Sequence, residues 1–417
     1  MKKIYSIYHY ILSILSAVIF RFPSHKIKVI GVTGTKGKSS TVEIIAAILE
    51  EAGYKVALTN TIRFKIGDKS ENNMFKMSMP GRFFMQKFLR RAVTAGCDYA
   101  VIEMTSQGFI QYRHKYIHLD AFVFTNLSPE HIESHGSYEN YIQAKVMLAR
   151  GLEWSKKPTK LIVANGDDKE SQKFLAIKTD AKKSFSIKDA EPYTIKKEGI
   201  DFTFRGLAIS SPLSGLFNLY NILAAATLTE NEGVPVDTIK KTLEKFSGIR
   251  GRVEKIIAGG TGSDLSKKQD FTVVVDYAHT ADSLEKVYEV FQGSRRIGVL
   301  GGTGGGRDRW KRKEMGKLAA KYCDYIVLTN EDPYDEDPMQ IINDVKEGVT
   351  AAEKTATVII DRREAIRDAI EHANTGDVVI ITGKGTDPYI MGPQGHNTPW
   401  SDANVAREEL EKILKTR

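Results

Sequence analysis

Residues 31–40 read GVTGTKGKSS, and this stretch decides the class of fold. The residues before it, IKVIGVT at 27–33, form an apolar and β-branched run that is typical of a buried strand. The residues after it repeat apolar side chains at helical spacing, which predicts an amphipathic helix over residues 38–52. A buried strand, a glycine turn and a helix in this order predict an α/β fold with a mostly parallel sheet.

The glycine turn carries residues that can hold a phosphate group. Glycines allow backbone N–H groups to approach phosphate oxygens, and the N-terminus of the following helix adds a partial positive charge. In such a loop Lys38 would reach the β- and γ-phosphates of ATP, and Ser39 would hold Mg²⁺. The spacing is T-G-T-x-G-K-S, since Gly31 lies one residue too far upstream for G-x-x-x-x-G-K. The residues predicted to form this nucleotide site are Gly34, Thr35, Lys36, Gly37, Lys38, Ser39 and Ser40.

The composition narrows the class of protein. The chain has 417 residues, which is too long for one hydrophobic core. The net charge is +8, but Lys and Arg are spread along the chain without a basic block interleaved with aromatics. This distribution argues against nucleic acid and favours anionic, phosphorylated substrates. The two cysteines, Cys97 and Cys323, lie far apart in apolar surroundings, which fits buried thiols in a reducing cytoplasm.

The N-terminal segment is unusual, because residues 4–20 contain no Asp, Glu, Lys or Arg. These 17 residues are at the short limit of a membrane span. Lys2 and Lys3 precede them, but Arg21-Phe22-Pro23 follows in place of a small-residue cleavage site. Three interpretations are open: a helix packed on the next domain, a membrane anchor that lies on or crosses the bilayer, and an exported chain. Export is disfavoured because it would separate the protein from its ATP.

Apolar runs alternate with helical patterns in two series. The first series predicts strands at 54–58, 98–104, 121–125 and 160–164, helices at 82–95 and 138–150, and short antiparallel strands over 183–210. Helices at 218–230 and 236–246 close this half. The second series predicts strands at 271–276, 296–300, 325–329, 357–360 and 378–382, and a helix at 402–415. We therefore predict an apolar segment at 1–26, a P-loop ATP-binding domain at 27–247 and a Rossmann-like domain at 248–417.

Further motifs follow the predicted strands in order. They are EMTSQG at 103–108, FTNLSPEHIESHG at 124–136, YIQAK at 141–145, GLFNLYN at 215–221, IRGRVE at 249–254, DYAHTADSL at 276–284, GGTGGGRD at 301–308, TNEDPY at 329–334 and GKGTD at 383–387. Together with the loop at 33–39, these motifs resemble the Mur ligase family, and within it most of all the muramoyl-tripeptide synthetases. The match runs from Gly31 to about Glu409. Ser39-Ser40 stands where Thr-Thr is usual, and Gln107 replaces a histidine.

The resemblance implies an ADP-forming acid–amino-acid ligase of peptidoglycan biosynthesis. It implies that Lys38, Glu103, His131 and Lys145 are catalytic, and that Lys145 carries a carbamate. Mg²⁺ would be held by Ser39 and Glu103, and a second Mg²⁺ by His131 and Lys145. Glu103 also suits this role by itself, because it is a hard oxygen donor at the carboxyl end of a strand. The remaining implied nucleotide contacts are Asn126, Asn218, Asn221, Arg252, Asp276 and His279.

The acceptor site is where the sequence departs from the family pattern. Tyr334 stands where the family has an arginine for the distal carboxylate of meso-diaminopimelate. The acidic residues Glu331, Asp332 and Asp387 would suit an acceptor that ends in an amine, such as lysine or ornithine. The residues predicted to contact the substrates are Ser106, Arg312, Glu331, Asp332, Tyr334, Gly383 and Asp387.

The sequence leaves open the donor substrate and the contact with a membrane. Only about 26 residues precede the core, so the family's N-terminal uridine-nucleotide domain is expected to be absent. The donor could then lack uridine or be lipid-linked, and contact of residues 4–20 with a membrane surface stays open. The expected location is cytoplasmic, and the sequence does not indicate an oligomeric state. Two alternatives remain: a folylpolyglutamate or poly-amino-acid ligase of the same superfamily, and a catalytically silent nucleotide-binding partner subunit.

Overall fold

The computed structural model describes residues 2–129, 135–306 and 309–416, with side chains from residue 7 onward. The chain divides into two compact units, Met1–Ser247 and Gly248–Arg417. Each unit contains a mostly parallel sheet with helices on it, so the predicted α/β fold class is confirmed for both halves.

The first unit is built on an eight-stranded sheet in the order β4-β3-β2-β5-β1-β6-β7-β8. Its strands are β1 (Lys28–Thr33), β2 (Val56–Thr59), β3 (Arg63–Ile66), β4 (Lys69–Asn72), β5 (Tyr99–Glu103), β6 (Ala121–Phe124), β7 (Leu161–Asn165) and β8 (Ala181–Phe185). The pairings of β2 with β3 and of β3 with β4 are antiparallel, and all other pairings in this sheet are parallel. β1 lies between β5 and β6, so the chain segments that follow these three strands meet at one edge of the sheet.

Helices and a small sheet complete the first unit. The helices are α1 (Lys2–Ile19), α2 (Lys38–Glu51), α3 (Arg82–Thr94), α4 (Ser106–Ile110), α5 (Tyr138–Ala149), α6 (Ser171–Leu175), α7 (Leu216–Asn231) and α8 (Val236–Lys245). Short 3₁₀ helices span Pro23–Lys26, Arg150–Leu152 and Ile187–Ala190. The small antiparallel sheet has the order β11-β10-β9, from β9 (Tyr193–Ile195), β10 (Ile200–Phe204) and β11 (Leu207–Ser211).

The second unit is built on a six-stranded sheet in the order β12-β13-β17-β14-β15-β16. Its strands are β12 (Glu254–Lys255), β13 (Thr272–Val275), β14 (Arg296–Leu300), β15 (Tyr325–Leu328), β16 (Thr357–Val358) and β17 (Val378–Ile381), and only β12 is antiparallel. The helices are α9 (Asp264–Lys268), α10 (Ala281–Val290), α11 (Arg309–Tyr322), α12 (Pro338–Ala351), α13 (Arg362–Glu371) and α14 (Asp402–Thr416). A hairpin of β18 (Tyr389–Met391) and β19 (Asn397–Pro399) flanks the 3₁₀ helix Pro393–Gly395.

One detail of the sequence-based prediction is wrong, and one feature of the sheet was missed. Residues 183–185 were expected in an antiparallel strand, but they belong to β8, which pairs parallel with β7 in the main sheet. The antiparallel pair β3 and β4 was not predicted. β4 is exposed along its whole length and reads KSEN, so it lacks the apolar alternation that marks a half-buried strand.

Helix α1 contains the apolar N-terminal residues and packs against α3. The Arg90 guanidinium donates hydrogen bonds to the carbonyl of Phe20, at 2.9 and 2.7 Å, just beyond the end of α1. Among the described residues, no helix has the length and hydropathy needed to cross a membrane.

Candidate nucleotide and acceptor sites

The loop between β1 and α2 has glycine where no other residue fits. Gly37 precedes α2 with φ of +80°, in the left-handed region. A Cβ at Gly37 would lie 2.1 Å from Asn221 Oδ1, and a Cβ at Gly34 would lie 1.9 Å from Thr125 Oγ1. The loop is therefore held close to β6 and α7, and the N-terminus of α2 opens directly from it.

Three asparagines predicted to contact the nucleotide support this loop. Asn126 accepts a hydrogen bond from Lys36 N at 2.9 Å and donates one to Lys36 O at 3.1 Å. Asn221 donates to Asn218 Oδ1 at 3.2 Å, and Asn218 donates to the carbonyl of Ser214 at 2.8 Å. Asn126 thus fixes the loop backbone, while Asn218 and Asn221 form a buried pair behind it.

Ser39 and Glu103 meet as the sequence predicts for a Mg²⁺ site. Ser39 Oγ donates a hydrogen bond of 2.6 Å to Glu103 Oε2, and both residues are buried. Thr61 joins them: its hydroxyl shares a 2.8 Å hydrogen bond with Ser39 Oγ, and its N–H donates to Glu103 Oε2 at 3.2 Å. Sequence reasoning missed Thr61. Its position two residues after β2, at the same sheet edge as Glu103, was the available signal.

The hydroxyl and carboxylate oxygens of Ser39 and Glu103 are the hard donors that Mg²⁺ prefers. Within the described ranges, no group of three or more His, Cys, Asp and Glu residues is placed to hold a metal ion. A Mg²⁺ ion bound through one carboxylate, one hydroxyl, phosphate oxygens and water does not require such a group. The donor set therefore fits a magnesium–nucleotide complex.

Two lysine side chains converge on the backbone of the same loop. Lys38 Nζ donates a hydrogen bond of 3.0 Å to the carbonyl of Thr35. Lys145, from α5, is buried, and its Nζ donates to the carbonyl of Gly34 at 2.5 Å. The Lys145 ammonium also lies 4.8 Å from the centre of the Tyr141 ring, whose hydroxyl shares a 3.2 Å hydrogen bond with Thr35 Oγ1. Tyr141 thus connects α5 to the loop.

Ser106 begins α4 close to this group. Its Oγ shares a hydrogen bond of 3.0 Å with His135 Nε2. Burial, and then the nearby Lys145 charge, lower the pKa of His135. His131, predicted to be catalytic and to ligate a metal, lies outside the described residues, as does Glu130. The structure therefore brings Lys38, Ser39, Glu103 and Lys145 to one loop and leaves His131 a prediction.

In the second unit, the predicted nucleotide residues gather around Tyr277. Asp276 follows β13, and its carboxylate accepts hydrogen bonds from Val253 N and Ala278 N, both at 2.7 Å. The Arg252 guanidinium lies 4.6 Å from the centre of the Tyr277 ring. The His279 ring lies 4.8 Å from the same ring, and its Nδ1 shares a 2.8 Å hydrogen bond with the Tyr277 carbonyl. Tyr277 had no predicted role, and it organises this set.

The glycine loop that follows β14 packs against the chain itself. A Cβ at Gly304 would lie 2.0 Å from the carbonyl oxygen of Pro333, and a Cβ at Gly301 would lie 2.6 Å from that of Thr329. Arg312 was expected to contact substrate, but its guanidinium is buried and already engaged. It donates hydrogen bonds to Asp344 at 2.8 Å, to the Thr303 carbonyl at 2.9 Å and to Glu336 at 3.0 Å. These bonds assign Arg312 to holding the loop in shape.

The predicted acceptor residues lie next to this loop. Glu331 accepts a 2.9 Å hydrogen bond from Thr303 Oγ1 through Oε1, whereas its Oε2 is buried and accepts none within the described part of the chain. A Cβ at Gly383 would lie 2.4 Å from Glu331 Oε2, so only glycine leaves room for that oxygen there. Burial is the main cause that raises the pKa of the Glu331 carboxyl. Tyr334, with φ of +52°, donates its N–H to the Met391 carbonyl at 3.0 Å.

Lys384 is a site residue that sequence reasoning missed. Its buried ammonium donates to Asp332 Oδ1 at 2.7 Å and lies 3.4 Å from Asp387 Oδ2. Lys384 therefore neutralises part of the acidic set predicted for an amine. A lysine between two glycines in GKGTD was the available signal, but its buried partner 52 residues upstream could not be read from the sequence.

Comparison with known proteins identifies the family of this chain. Residues 32–229 match the Mur ligase middle domain, and residues 236–385 match the Mur ligase glutamate ligase domain. The chain is similar to the UDP-N-acetylmuramoyl-L-alanyl-D-glutamate–2,6-diaminopimelate ligase of Syntrophomonas wolfei, with 37% identity over 416 residues. This alignment covers 97% of the chain and 82% of the relative.

Solved structures show the same likeness. A structure of a UDP-N-acetylmuramoyl-L-alanyl-D-glutamate–2,6-diaminopimelate ligase aligns with a TM-score of 0.63 and 27% identity, covering 93% of this chain and 79% of that one. The ADP complex of Mycobacterium tuberculosis folylpolyglutamate synthase has a TM-score of 0.69 at 16% identity, covering 89% and 91%, and shares the fold. With the matched domains and the close sequence relative, these findings establish that the chain belongs to the Mur ligase family.

Proposed function

We propose that this protein is an ATP-dependent acid–amino-acid ligase that adds an amino acid to the carboxylate of a muramoyl peptide in the cytoplasm. The supporting observation is the convergence on one glycine loop of Lys38, the bonded pair of Ser39 and Glu103, and the buried Lys145. A nucleotide-binding loop alone needs only the first two features. A second lysine that is buried and directed at the loop, Lys145, is explained if it takes part in the reaction. We further propose that residues 27–247 form the ATP-binding domain and residues 248–417 the ligase domain.

The proposed reaction has two steps. The donor carboxylate attacks the γ-phosphorus of ATP, the bond to the β-phosphate oxygen breaks, and ADP leaves with an acyl phosphate formed. The acceptor amine then attacks the acyl carbon, the bond between that carbon and the phosphate oxygen breaks, and inorganic phosphate leaves as the amine loses a proton. Lys38 places its positive charge against the phosphate oxygens on which negative charge develops. Ser39 and Glu103 would hold Mg²⁺, which supplies further charge neutralisation on the phosphate oxygens.

Lys145 has its proposed role as a carbamate. Its neutral amine would add to CO₂ and lose a proton, which gives an anionic N–COO⁻ group. That group supplies oxygens that bind a cation, whereas an ammonium cannot. The proposal rests on the burial of Lys145 and on its position at the Gly34 carbonyl, and His131 is the proposed second ligand.

We propose an acceptor that carries a distal amine, such as lysine or ornithine. Lys384 neutralises one charge of the pair Asp332 and Asp387, so Glu331 and one further carboxylate remain for the substrate. Glu331 is the stronger candidate because its buried Oε2 accepts no hydrogen bond from the rest of the described chain. The relative from Syntrophomonas wolfei is named for 2,6-diaminopimelate, an acceptor with a second carboxylate as well as a second amine.

The deciding experiment measures ADP release from ATP over a panel of amino acids, with UDP-linked and UDP-free muramoyl dipeptides as donors. A ligase releases ADP only when both donor and acceptor are present, and we expect lysine or ornithine to give the highest kcat/KM. A clear preference for diaminopimelate would refute the acceptor proposal and leave the ligase proposal standing. Absence of ADP release with every combination of donor and amino acid would refute the ligase proposal and favour a nucleotide-binding subunit.

A further inference from the structure

Helix α1 has its large apolar side chains directed away from the protein. Ile7, Ile11, Leu15, Val18 and Ile19 recur at helical spacing on its outer side, and we call them the apolar face of α1. Their exposed fractions run from 47% for Leu15 to 60% for Ile7 and Ile19. The side of α1 that faces the protein is formed by Ser13, Ser16 and Ala17, each at most 1% exposed. A helix that packs on a soluble domain normally has the opposite arrangement.

Contacts on the inner side of α1 stabilise this orientation of the helix. Ser13 Oγ donates to the Tyr10 carbonyl at 2.6 Å, and Ser16 Oγ donates to the Ser13 carbonyl at 2.9 Å, so both buried hydroxyls are satisfied within the helix. Their small size lets α1 lie close to α3. At one side of the helix, the Tyr116 hydroxyl donates to Tyr10 at 3.1 Å. Rotating the helix to bury the apolar face would break the hydrogen bond between Tyr116 and Tyr10 and would replace the small residues next to α3 with large ones.

The chain around α1 carries positive charge without carboxylates. Three segments build this region of the first unit, and none of them contains Asp or Glu: residues 1–42, residues 72–97 with α3, and residues 104–119 with Tyr116. Basic residues are frequent in them, including Arg21 and Lys26 just after α1, and Arg82, Lys87, Arg90 and Arg91 in α3. Two nitrogens of Arg82, Nε and Nη2, are buried and make no hydrogen bond within the described residues. These three segments are therefore basic and contain no carboxylate side chain of their own.

We propose that α1 docks on the surface of an anionic lipid bilayer, with its apolar face in the headgroup region and the neighbouring basic residues against lipid phosphates. An apolar helix face combined with positive charge is the pattern of an interfacial helix. A second copy of this chain fits the surface less well, because pairing two such faces would bring two basic, carboxylate-free regions together. This inference does not depend on the proposed ligase activity.

The test is flotation of the full chain with lipid vesicles, comparing phosphatidylglycerol-containing vesicles with pure phosphatidylcholine. We expect binding to the anionic vesicles and a loss of at least about tenfold in the variant Ile11→Asp with Leu15→Asp, since each side chain removes substantial apolar area from water on docking. Ile360→Asp is the matched control, because Ile360 is 48% exposed in the second unit and Ile11 is 49% exposed. This control should bind as the unchanged protein does.

A second variant tests the charge contribution without touching the apolar face. Arg21→Gln with Lys26→Gln should weaken binding to anionic vesicles by roughly fivefold for each charge removed, and added salt should have the same effect. Equal thermal unfolding midpoints for all variants would show that the fold is retained. Unchanged vesicle binding in the Ile11→Asp, Leu15→Asp variant would overturn the proposal. A second result would also overturn it: the unchanged protein does not bind vesicles, and it sediments as a dimer that dissociates in the Ile11→Asp, Leu15→Asp variant.

Discussion

The protein has two glycine loops, at residues 34–37 after β1 and at residues 301–306 after β14. Both connect a strand to a helix, but the charged side chains near them differ in sign. Each follows a buried parallel strand, precedes a helix and needs glycine for close packing against its own unit. The first loop is approached by the ammonium groups of Lys38 and Lys145. The second is bordered by the buried carboxylate of Glu331 and by Glu336, whose Oε1 accepts from Gly306 N at 2.5 Å. The charge of Glu336 is paired with Arg312 at 3.0 Å, so Glu331 supplies the negative charge at this loop.

This difference shows which residues decide the chemistry of a glycine loop. The glycines determine how closely the backbone packs, and they do so in both loops. The charge comes from residues of other elements: Lys145 on α5 for the first loop, and Glu331 after β15 for the second. The first loop therefore suits an anion such as a triphosphate, and the second suits a cation such as the amine of an amino acid.

The largest expected effect tests the positive side of this comparison. Lys145→Arg keeps the charge at the first loop but cannot form a carbamate, so we expect kcat to fall by about 1000-fold, the scale of losing one preorganised electrostatic group. The measurement is ADP release with saturating donor and acceptor. Lys157→Arg is the matched control, because Lys157 forms a structural ion pair with Asp120 at 2.9 Å. A Lys145→Arg enzyme with the original rate would remove the carbamate from the mechanism.

A pair of glycine substitutions compares the two loops directly. Gly37→Ala places a Cβ against Asn221 at a φ of +80°, and we expect a loss of about 3 kcal/mol in the free energy of unfolding and weaker ATP binding. Gly306→Ala has a similar φ of +71°, but no atom of the described residues lies within 4 Å of its Cβ. It should cost about 1 kcal/mol and leave ATP binding unchanged. Urea denaturation and ATP titration calorimetry measure both quantities, and equal effects at the two positions would contradict the packing argument.

Glu331→Gln tests the negative side of the comparison. Removing its charge should lower kcat/KM for the acceptor amino acid by about tenfold while leaving the KM for ATP unchanged. In the unchanged protein the acceptor KM should rise as the pH falls towards the pKa of Glu331, which burial raises above 4.5, and this dependence should vanish in the variant. Glu314→Gln, on an exposed ion pair with Lys317, is the control.

The same substitution has an opposite expected effect on stability. Because the folded-state pKa of Glu331 is raised, its contribution to stability is fully present below pH 4.5 and is lost as the pH rises through the folded value. Glu331→Gln should therefore be at least as stable as the unchanged protein at neutral pH, in spite of its lower activity. A variant that loses stability and activity together would indicate a structural role for Glu331.

The smallest expected effect is a change in the titration of His135. The positive charge of Lys145 contributes to lowering the pKa of His135. Conversion of Lys145 to an anionic carbamate would reverse that contribution, so added bicarbonate should raise the pKa of His135. An NMR titration of the His135 ring measures this, and the Lys145→Arg variant should not respond. A bicarbonate response that is equal in both proteins would exclude Lys145 as its source.

Many strands and helices of this molecule can be predicted because their apolar residues repeat with the period of the element they form. The strand at 296–300 is found as Arg296–Leu300, and the helix at 38–52 as Lys38–Glu51, since each carries an uninterrupted apolar period. β4 was missed because an exposed edge strand carries no such period. Arg312 was predicted to contact substrate because the sequence does not reveal that its guanidinium donates a hydrogen bond to Asp344 on α12.

By itself the sequence determined that the chain has two α/β halves, a glycine loop between a strand and a helix at 34–37 and a family of relatives, because strand–glycine–helix patterns and motif order are local properties of the chain. Only the tertiary structure decided which charges meet. The ion pair of Lys384 with Asp332, the approach of Lys145 to Gly34 and the outward apolar face of α1 depend on side chains from separate elements. Such contacts follow from the packing of whole elements, and burial then sets how strongly the charges act on one another.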